Sequence, residues 1–329
     1  MAASSRPKVA ILGCGLMSQK VAALLPHGDL CLWGRSRRED LPAGLLQLPW
    51  APTVAQACSA AAIVIFTVPI AAMRDVARDY GEVARGDQVV LFVARGVEAD
   101  FVLPHTILRQ ETCVRKIGVL GGPLQAFDPQ SGRPAVVVVG SRYSDPAYWV
   151  RHLAKNVAHV FATADIVGVQ VAAAVGNITS IAVGMAQALR LGDTVRGLLL
   201  TRGLAEAARL GHALGAEPET FASLAGLGAL IPHPALAQDK HILLGEALGS
   251  GAAPAALQKD AADGIFSVQQ ALALAQQQHF ELPLIRAVQQ VLSGALSGTT
   301  ALSQVLGRGL DFGDDFAPQA RLVNTWQDI

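Results

Sequence analysis

The sequence predicts an α/β fold, in which a Rossmann-type doubly wound sheet is followed by an all-helical second domain. Short apolar runs alternate with helix-like segments through the first half of the 329-residue chain, as parallel strands with crossover helices require. A glycine-rich turn follows the first apolar run. After Asp165 the strand pattern gives way to long Ala/Leu-rich helical periods. We therefore expect a dinucleotide-binding domain over residues 1–165 and a helical substrate and dimerisation domain over residues 166–329.

The individual elements follow from these patterns. Apolar runs with the length and branching of buried parallel strands occur at 8–12, 30–34, 62–67, 88–93, 116–120, 135–140 and 158–162. Glycines and prolines separate the helical periods, which cover 166–190, 194–214, 219–225, 239–248, 254–278 and 283–295. Helices so rich in alanine and leucine need burial on more than one face, so we expect a homodimer through the helical half.

The glycine-rich turn after the first strand predicts a nucleotide site. Gly13 permits the sharp turn, and Gly15 has no Cβ atom, so the backbone can approach a pyrophosphate at the N-terminus of the next helix. The residues expected to line this site are Gly13, Gly15, Leu16 and Met17. Ser18 stands where the third glycine of the fingerprint would lie, a position that serves close helix–strand packing. The alternative is a purely structural turn.

The end of the second strand bears on the choice between NAD and NADP. An acidic residue at this point holds the ribose 2′-hydroxyl of NAD. Here the chain continues with Gly34-Arg35-Ser36-Arg37-Arg38. Arg35 and Arg38 suit a 2′-phosphate, so the cofactor is predicted to be NAD or NADP, with the arginines favouring NADP. The alternative is a solvated basic loop.

Three further strand ends bring residues to the edge of the sheet where cofactors bind. Val68 and Pro69 close one strand, and Gly122-Pro123 forms a second glycine-rich turn after another. Arg95 follows the strand at 88–93, so we expect it near the cofactor crevice. Its alternative is an ordinary surface arginine.

Composition excludes several classes of protein. The formal net charge is +0, which argues against nucleic acid as a partner, since that needs a basic excess. The longest apolar stretch, Ala60–Met73, is too short for a membrane span and contains Pro69. No signal peptide is visible. We expect a cytoplasmic protein without a metal site, whose cysteines are buried reduced thiols without metal-ligand spacing: Cys14, Cys31, Cys58 and Cys113.

Several motifs in order resemble the NAD(P)-dependent glycerol-3-phosphate dehydrogenase family over nearly the whole chain. The matching stretches are the Gly13–Gly15 turn, Leu32-Trp33-Gly34, Val68-Pro69, Arg95-Gly96-Val97-Glu98, Gly122-Pro123, Gly168-Val169-Gln170, Val175-Gly176-Asn177, Thr201-Arg202-Gly203-Leu204-Ala205-Glu206 and Ala225-Gly226-Leu227-Gly228. The resemblance implies a Rossmann-type domain, a helical substrate domain, an NAD or NADP cofactor, a small anionic substrate and often a dimer.

The chain departs from the family pattern where the resemblance implies catalysis. The family's proposed acid/base lysine corresponds to Gly176, a second lysine to Arg95 and an aspartate to Ala229. The arginine and asparagine for the substrate phosphate correspond to Lys240 and His241. Glycine carries no proton, and a guanidinium stays charged near neutral pH. We therefore expect ordinary glycerol-3-phosphate dehydrogenase turnover to be absent or feeble.

The retained residues supply the remaining candidates. The catalytic candidates are Asn177, Lys240, Arg95 and Thr201. The resemblance adds Ala126, Arg202 and Asp263 to the cofactor contacts. Each polar candidate has a structural alternative: Asn177 could hold backbone groups at a helix turn, Thr201 and Arg202 could pack helices, and Lys240 could lie on an exposed helix face.

Three functions are compatible with this pattern. The chain could be an NAD(P)-dependent dehydrogenase for glycerol 3-phosphate or a related small substrate with an altered acid/base arrangement. It could be an oxidoreductase for a quite different substrate. It could also be a catalytically weak homologue that binds a nucleotide as a sensor or partner. The first two need a proton carrier from Lys240, His241, His233 or water; the third needs none. Fold analogy favours dehydrogenase chemistry without deciding the substrate.

Overall fold

The computed structural model of the chain describes residues 6–35, 43–231, 239–252 and 255–307. The strands are β1 Lys8–Leu12, β2 Asp29–Trp33, β3 Ile63–Phe66, β4 Val89–Phe92, β5 Lys116–Gly121, β6 Ala135–Gly140 and β7 Ala158–Thr163. The helices are α1 Leu16–Leu24, α2 Ala43–Leu46, α3 Val54–Cys58, α4 Ile70–Gly81, α5 Pro104–Glu111, α6 Ser144–Leu153, α7 Ile166–Ala188, α8 Gly192–Ala213, α9 Pro218–Ala222, α10 Leu227–Leu230, α11 Lys240–Gly249, α12 Ala255–Asp260, α13 Ala262–Gln277, α14 Pro283–Leu292 and α15 Gly298–Gly307.

The strands form one sheet in the order β2-β1-β3-β4-β5-β6-β7. The pairs from β2 to β5 are parallel, β6 runs antiparallel to β5, and β7 is parallel to β6. The strand order reverses at β1, which places a crevice beyond the carboxyl ends of β1 and β3. The predicted α/β class with a helical second half is confirmed, and every predicted strand occurs within about a residue of its expected bounds.

The central strands are buried on both faces. In β3 and β4 all four residues are buried, as their continuous apolar runs require. One face packs against α1 and α6, and the other packs against α3, α4 and α7. The buried face of α7 thus joins the sheet to the helical half in one continuous apolar core.

The helical half differs from the prediction in three places, one of which is the short helix α10 that was not predicted. The expected helix over 254–278 is divided between α12 and α13, because Ala261 leaves the helical conformation between them. Helix α15 was not predicted, since its Thr- and Ser-containing sequence lacks a strong apolar period.

The cysteines of the first half also differ from expectation: all four are free, and Cys58 is buried, but Cys113 is exposed.

One helix has the length and hydropathy of a membrane span. This helix is α7, and 83% of its most apolar 18-residue window is buried inside the structure. A helix that is apolar all round and covered by other elements is typical of a protein core.

A carboxylate in α8 caps the start of α14. Glu206 is buried, and its two carboxylate oxygens accept hydrogen bonds from the backbone N–H groups of Leu284 (2.6 Å) and Ile285 (3.0 Å). Helix α14 has no side-chain cap of its own, so these bonds satisfy two of its free donors. Burial raises the pKa of Glu206 to about 7, although both bonds act to lower it.

The substitution Glu206→Gln removes one of the two acceptors and turns an amide N–H₂ towards a backbone donor. We expect it to lower the free energy of unfolding by about 1–3 kcal/mol, the cost of leaving a buried donor unpaired. Urea denaturation of this variant and of Glu281→Gln, a substitution at an exposed carboxylate, measures the effect. Equal stability of the two variants would contradict the capping role.

Candidate functional site

The turn after β1 forms a tight cradle against the end of β3. Gly13 has a φ of 133°, and a Cβ atom there would lie 2.3 Å from Thr67 Oγ1, so both conformation and space require glycine. The N–H of Gly13 donates to Trp33 O at 2.7 Å. Thr67 Oγ1 lies 2.8 Å from Ser18 Oγ, so the buried Ser18 serves the helix–strand packing expected of the third fingerprint position.

The first turn of α1 opens towards solvent above this cradle. Gly15 is the N-cap of α1 and carries no capping side chain. A Cβ atom at Gly15 would have no neighbour within 4 Å. Leu16 is 74% exposed, and Met17 is half-buried. Free backbone donors, a helix dipole and an open approach suit a pyrophosphate, so the residues present fit a dinucleotide.

A pocket lies beside this cradle, between the ends of β4 and β5 and the helical half. Met17 of α1, Arg95 after β4, Gln125 in the 3₁₀ turn Gly122–Ala126, Ala173 of α7 and Ala229 of α10 contribute to its lining. Among the described residues that line it, Arg95 is the only charged one. Ala229, where the sequence resemblance implies an aspartate, is a small apolar part of this lining.

Asn177 ties this arginine to the helical half. Its amide N–H₂ donates to the backbone oxygen of Arg95 at 2.9 Å, and the side chain is buried. A Cβ atom at the neighbouring Gly176 would lie 3.2 Å from Arg95 Nη2 and 3.3 Å from Leu230 Cδ2. The guanidinium therefore occupies the space into which any side chain at position 176 would begin to extend.

A second group of charges, which we call the His241 cluster, comprises Asp239, Lys240, His241 and Asp263. Lys240 Nζ lies 2.7 Å from Asp263 Oδ1. The buried ring of His241 lies between two carboxylates, with Nδ1 3.0 Å from Asp239 Oδ1 and Nε2 3.2 Å from Asp263 Oδ1. A Cβ atom at Gly264 would be 2.5 Å from this ring, so glycine lets α13 pack flat against it.

The charges of this cluster and of Arg95 influence one another. Burial by itself raises the pKa of Asp239, but hydrogen bonds and charge from His241, together with Arg95, lower it to about 2. The pKa of Asp263 is also well below its ordinary range, because His241 and Lys240 outweigh burial. Burial lowers the pKa of Arg95, while Asp239 and Asp263 act in the opposite direction. Both carboxyl groups are therefore ionised at neutral pH.

The remaining predicted site residues have different surroundings. Thr201 is exposed, and its hydroxyl donates to Gly197 O within α8 at 2.9 Å, whereas Arg202 is buried. Val68 and Ala126 are half-buried at the sheet edge, and Pro69 is exposed at the start of α4. Arg35 is exposed after β2. Arg38 and His233 lie outside the described residues.

The sequence prediction missed Asp239. It is the N-cap of α11, and its side chain accepts a hydrogen bond from the N–H of His241 at 2.8 Å. An aspartate directly before a helical period is an N-cap signal, so the sequence did contain a hint of its position. Within the described part of the chain, no three His, Cys, Asp or Glu side chains form a group that could hold a metal ion.

A glycine cradle at the switch point of a doubly wound sheet, with a helical half closing a pocket over it, defines the class of dinucleotide-dependent dehydrogenases. Two sequence profiles identify the family within this class. Residues 46–147 match the NAD-dependent glycerol-3-phosphate dehydrogenase N-terminus, and residues 165–303 match the C-terminus of the same family. The chain belongs to the NAD-dependent glycerol-3-phosphate dehydrogenase family, and its cofactor is NAD or NADP.

Curated relatives agree with this assignment. A glycerol-3-phosphate dehydrogenase [NAD(P)+] of Rhizobium johnstonii is 30% identical, over 91% of this chain and 97% of the relative. The one of Rhodospirillum rubrum is 34% identical, over 78% of this chain and 75% of the relative. The crystal structure of glycerol-3-phosphate dehydrogenase from Coxiella burnetii has the same fold, with a TM-score of 0.82, 24% identity and coverage of 92% of this chain and 99% of that one.

The substitution Gly15→Ala tests the pyrophosphate site without disturbing the fold. Gly15 has a φ of −89°, which any residue adopts, and its Cβ position is open. We expect an unchanged melting temperature and NAD(P) affinity weakened by about tenfold or more, since the methyl group takes the space of the ligand. Gly86→Ala, at another glycine without neighbours, is the matched control. Unweakened binding in Gly15→Ala would place the pyrophosphate elsewhere.

The substitution Arg35→Ala tests the preference for NADP. If Arg35 binds the 2′-phosphate, NADP affinity should fall by about tenfold while NAD affinity stays within about threefold, as expected for loss of one charge-assisted contact. Separate calorimetric titrations with both dinucleotides measure the two affinities, with Arg133→Ala at another exposed arginine as the control. Equal losses of affinity for NAD and NADP would show that Arg35 does not bind the 2′-phosphate.

Proposed function

We propose that this chain is an NAD(P)-dependent oxidoreductase for a small anionic hydroxy or keto compound, with Arg95 beside the reacting oxygen in place of the family's lysine. The observation that carries this proposal is that the guanidinium of Arg95 fills the space that a side chain at position 176 would occupy. Position 176 has no side chain, and the guanidinium of Arg95 lies 3.2 Å from the point where one would start. A cation is thereby retained next to the pocket although the amine is lost.

The bound dinucleotide supplies or accepts the hydride. In the reducing direction, a carbonyl oxygen gains negative charge as its carbon receives the hydride, and donors placed at that oxygen stabilise the charge. Arg95 offers N–H donors and a permanent positive charge there. Asn177 holds the backbone of Arg95, and the apolar lining around Ala173 and Ala229 restricts water, which strengthens the interaction.

The proton that completes the alcohol comes from solvent in this proposal. Arg95 keeps its protons near neutral pH. Lys240 donates to Asp263, and both ring nitrogens of His241 contact carboxylates, so neither is free to act at the pocket. Without a side chain that transfers this proton, the activation free energy of the reduction rises by about 3–5 kcal/mol, which is the contribution that general acid–base catalysis usually makes. We therefore expect slow turnover and unimpaired dinucleotide binding.

The alternative is a catalytically weak homologue that binds the nucleotide as a sensor or partner protein. The observation that favours it is the same missing amine at Gly176. We further propose a cytoplasmic homodimer formed through the helical half, supported by the Ala/Leu-rich sequence of its helices and by exposed apolar side chains such as Leu243 and Phe266. The proposed domains cover residues 1–165 and 166–329. The proposed catalytic residues are Arg95 and Asn177, while Lys240 and Thr201 are assigned supporting roles because of the bonds that hold them.

Reduction of dihydroxyacetone phosphate tests the proposed function. With NADH and NADPH at high enzyme concentration, we expect turnover at least about 100-fold below the tens per second of an ordinary enzyme. Calorimetry with the same dinucleotides should show binding. Turnover of tens per second would mean that another residue carries the proton. Dinucleotide binding without reduction of any small carbonyl compound would favour the alternative, a homologue that binds the nucleotide as a sensor or partner protein.

A variant series tests the exchange between Arg95 and position 176. Because a side chain at position 176 meets the guanidinium, Gly176→Lys with Ala229→Asp should restore little turnover on its own. Adding Arg95→Lys removes the guanidinium from the space beside position 176. The turnover number of the triple variant should therefore exceed that of the double variant by about tenfold or more, which is part of the rate factor that acid–base catalysis usually supplies. Gly176→Met in the same background has similar length without an amine and serves as the control. Equal rates for lysine and methionine would show that no proton carrier has been restored.

A further inference from the structure

Arg95 lies in a stretch of chain, residues 93–98, that is neither helix nor strand. This stretch, which we call the Arg95 segment, connects the end of β4 to the 3₁₀ turn Ala99–Phe101. Side chains on irregular segments are held less precisely than those on helices and strands. A displacement of about 1 Å in an active site can slow a reaction by about 100-fold. The contribution of Arg95 therefore depends on the contacts that hold its segment in place.

Two contacts hold the backbone at Arg95 itself. The carbonyl oxygen of Arg95 accepts a hydrogen bond from Asn177 Nδ2 at 2.9 Å. Gly96 is enclosed between α4 and α13, because a Cβ atom there would lie 2.8 Å from Ile70 Cγ2 and 3.3 Å from Asp263 Cβ. Both contacts act in the middle of the Arg95 segment, and its end towards the 3₁₀ turn is held by a different group of residues.

A fork of hydrogen bonds from α4 holds that end of the segment. Arg74 Nε donates to Glu98 Oε1 at 2.7 Å, and Arg74 Nη2 donates to Glu98 Oε2. The same guanidinium also donates to Glu111 and, at 2.9 Å, to Gln110 Oε1, both near the end of α5. The hydrogen bonds from Arg74 lower the pKa of Glu98. The carboxylate is therefore ionised at neutral pH and accepts both bonds of the fork.

The geometry of this ion pair differs from that of an ordinary surface salt bridge. The side chains of Arg74 and Glu98 are 28% and 31% exposed. Partly exposed pairs contribute little unless the contact is bidentate or belongs to a network of charges, and the Arg74–Glu98 fork meets both conditions. Arg78, one turn further along α4, contacts Asp75 at 3.6 Å and Glu111 at 3.5 Å through single nitrogens. Arg78 therefore provides a matched comparison on the same helix.

We propose that Arg74 is a positioning residue for the reaction, which holds Arg95 beside the pocket through its fork to Glu98. This inference rests on the proposed function, in which Arg95 stabilises the charge on the reacting oxygen. Arg74 acts through the short stretch of chain from Arg95 to Glu98, whose two ends are bonded to Asn177 and to Arg74. The fork thereby fixes the position of Arg95 relative to α4, the helix that begins directly after Pro69 at the cofactor edge.

Steady-state reduction of dihydroxyacetone phosphate by the full chain, at high enzyme concentration, tests the proposal. Arg74→Met should lower kcat by about tenfold or more and change the KM for NADH by less than about threefold. Arg74→Lys keeps the charge without the fork and should restore only part of kcat. The control Arg78→Met should leave kcat unchanged.

A double-mutant cycle with Arg95 distinguishes positioning from a general structural role. In an Arg95→Met background, Arg74→Met should change kcat by less than about twofold, because the residue through which Arg74 acts is absent. An equal loss of kcat in both backgrounds overturns the proposal, and so does an unchanged kcat in Arg74→Met alone.

Amide hydrogen exchange measures the same fork without turnover. In Arg74→Met, residues 93–98 should exchange at least about tenfold faster than in the unmodified chain, while β1 and the Arg78→Met control keep their rates. Glu98→Gln is a second variant in case Arg74→Met does not fold. Unchanged exchange of residues 93–98 overturns the proposal even in an inactive chain. Faster exchange without any carbonyl reduction refutes the proposed function and leaves the fork as the support of the Arg95 segment.

Discussion

The contact between α7 and α11 is the constraint on which the arrangement of the cleft depends. A Cβ atom at Gly184 would lie 2.2 Å from Ile242 O, and one at Gly245 would lie 2.0 Å from Ile181 O. The two helices therefore touch backbone to backbone, which larger residues would prevent. Because α7 also packs against the sheet, this contact brings the first turn of α11 to the same end of the core as the strand edge that carries Arg95.

The charged side chains of the His241 cluster are also closely packed against neighbouring helices. Gly264 lies against the ring of His241, and a Cβ atom there would be 3.4 Å from Asn177 Cβ. The ring is thus confined between α7, α11 and α13, with a carboxylate at each nitrogen. A buried charge is tolerated only when it is paired and hydrogen-bonded. The His241 cluster meets this condition internally, which explains how so many charges persist at the edge of an apolar core, and it leaves Arg95 as the charge directed at the pocket.

Much of the nucleotide site could be predicted from the sequence because its signals are local. The turn at Gly13 follows a strand and precedes a helix within a few residues, and the requirement for glycine arises from that turn. The absence of a side chain at Gly176 was likewise visible in the sequence. That Arg95 fills the space beside Gly176 was not visible, because the two residues are 81 positions apart in the numbering and meet through packing of α7 against the end of β4. Asp239 was missed for the same reason: its cap is local, but the charge of Arg95 that acts on it and the Asp263 that shares His241 with it belong to other elements.

The sequence by itself determined the class of fold, the strands, the glycine cradle and the kinship with dinucleotide-dependent dehydrogenases. Periodicity and turn residues encode these features over short spans, where backbone geometry leaves few alternatives. The tertiary structure alone decided the electrostatics of the cleft. The charge that faces a ligand depends on which carboxylates neutralise which cations, and Arg95, Lys240, His241, Asp239 and Asp263 come from three separate stretches of chain. Their pairing is set by helices that approach at glycine contacts, since energies between charges depend on distance and burial rather than on sequence separation.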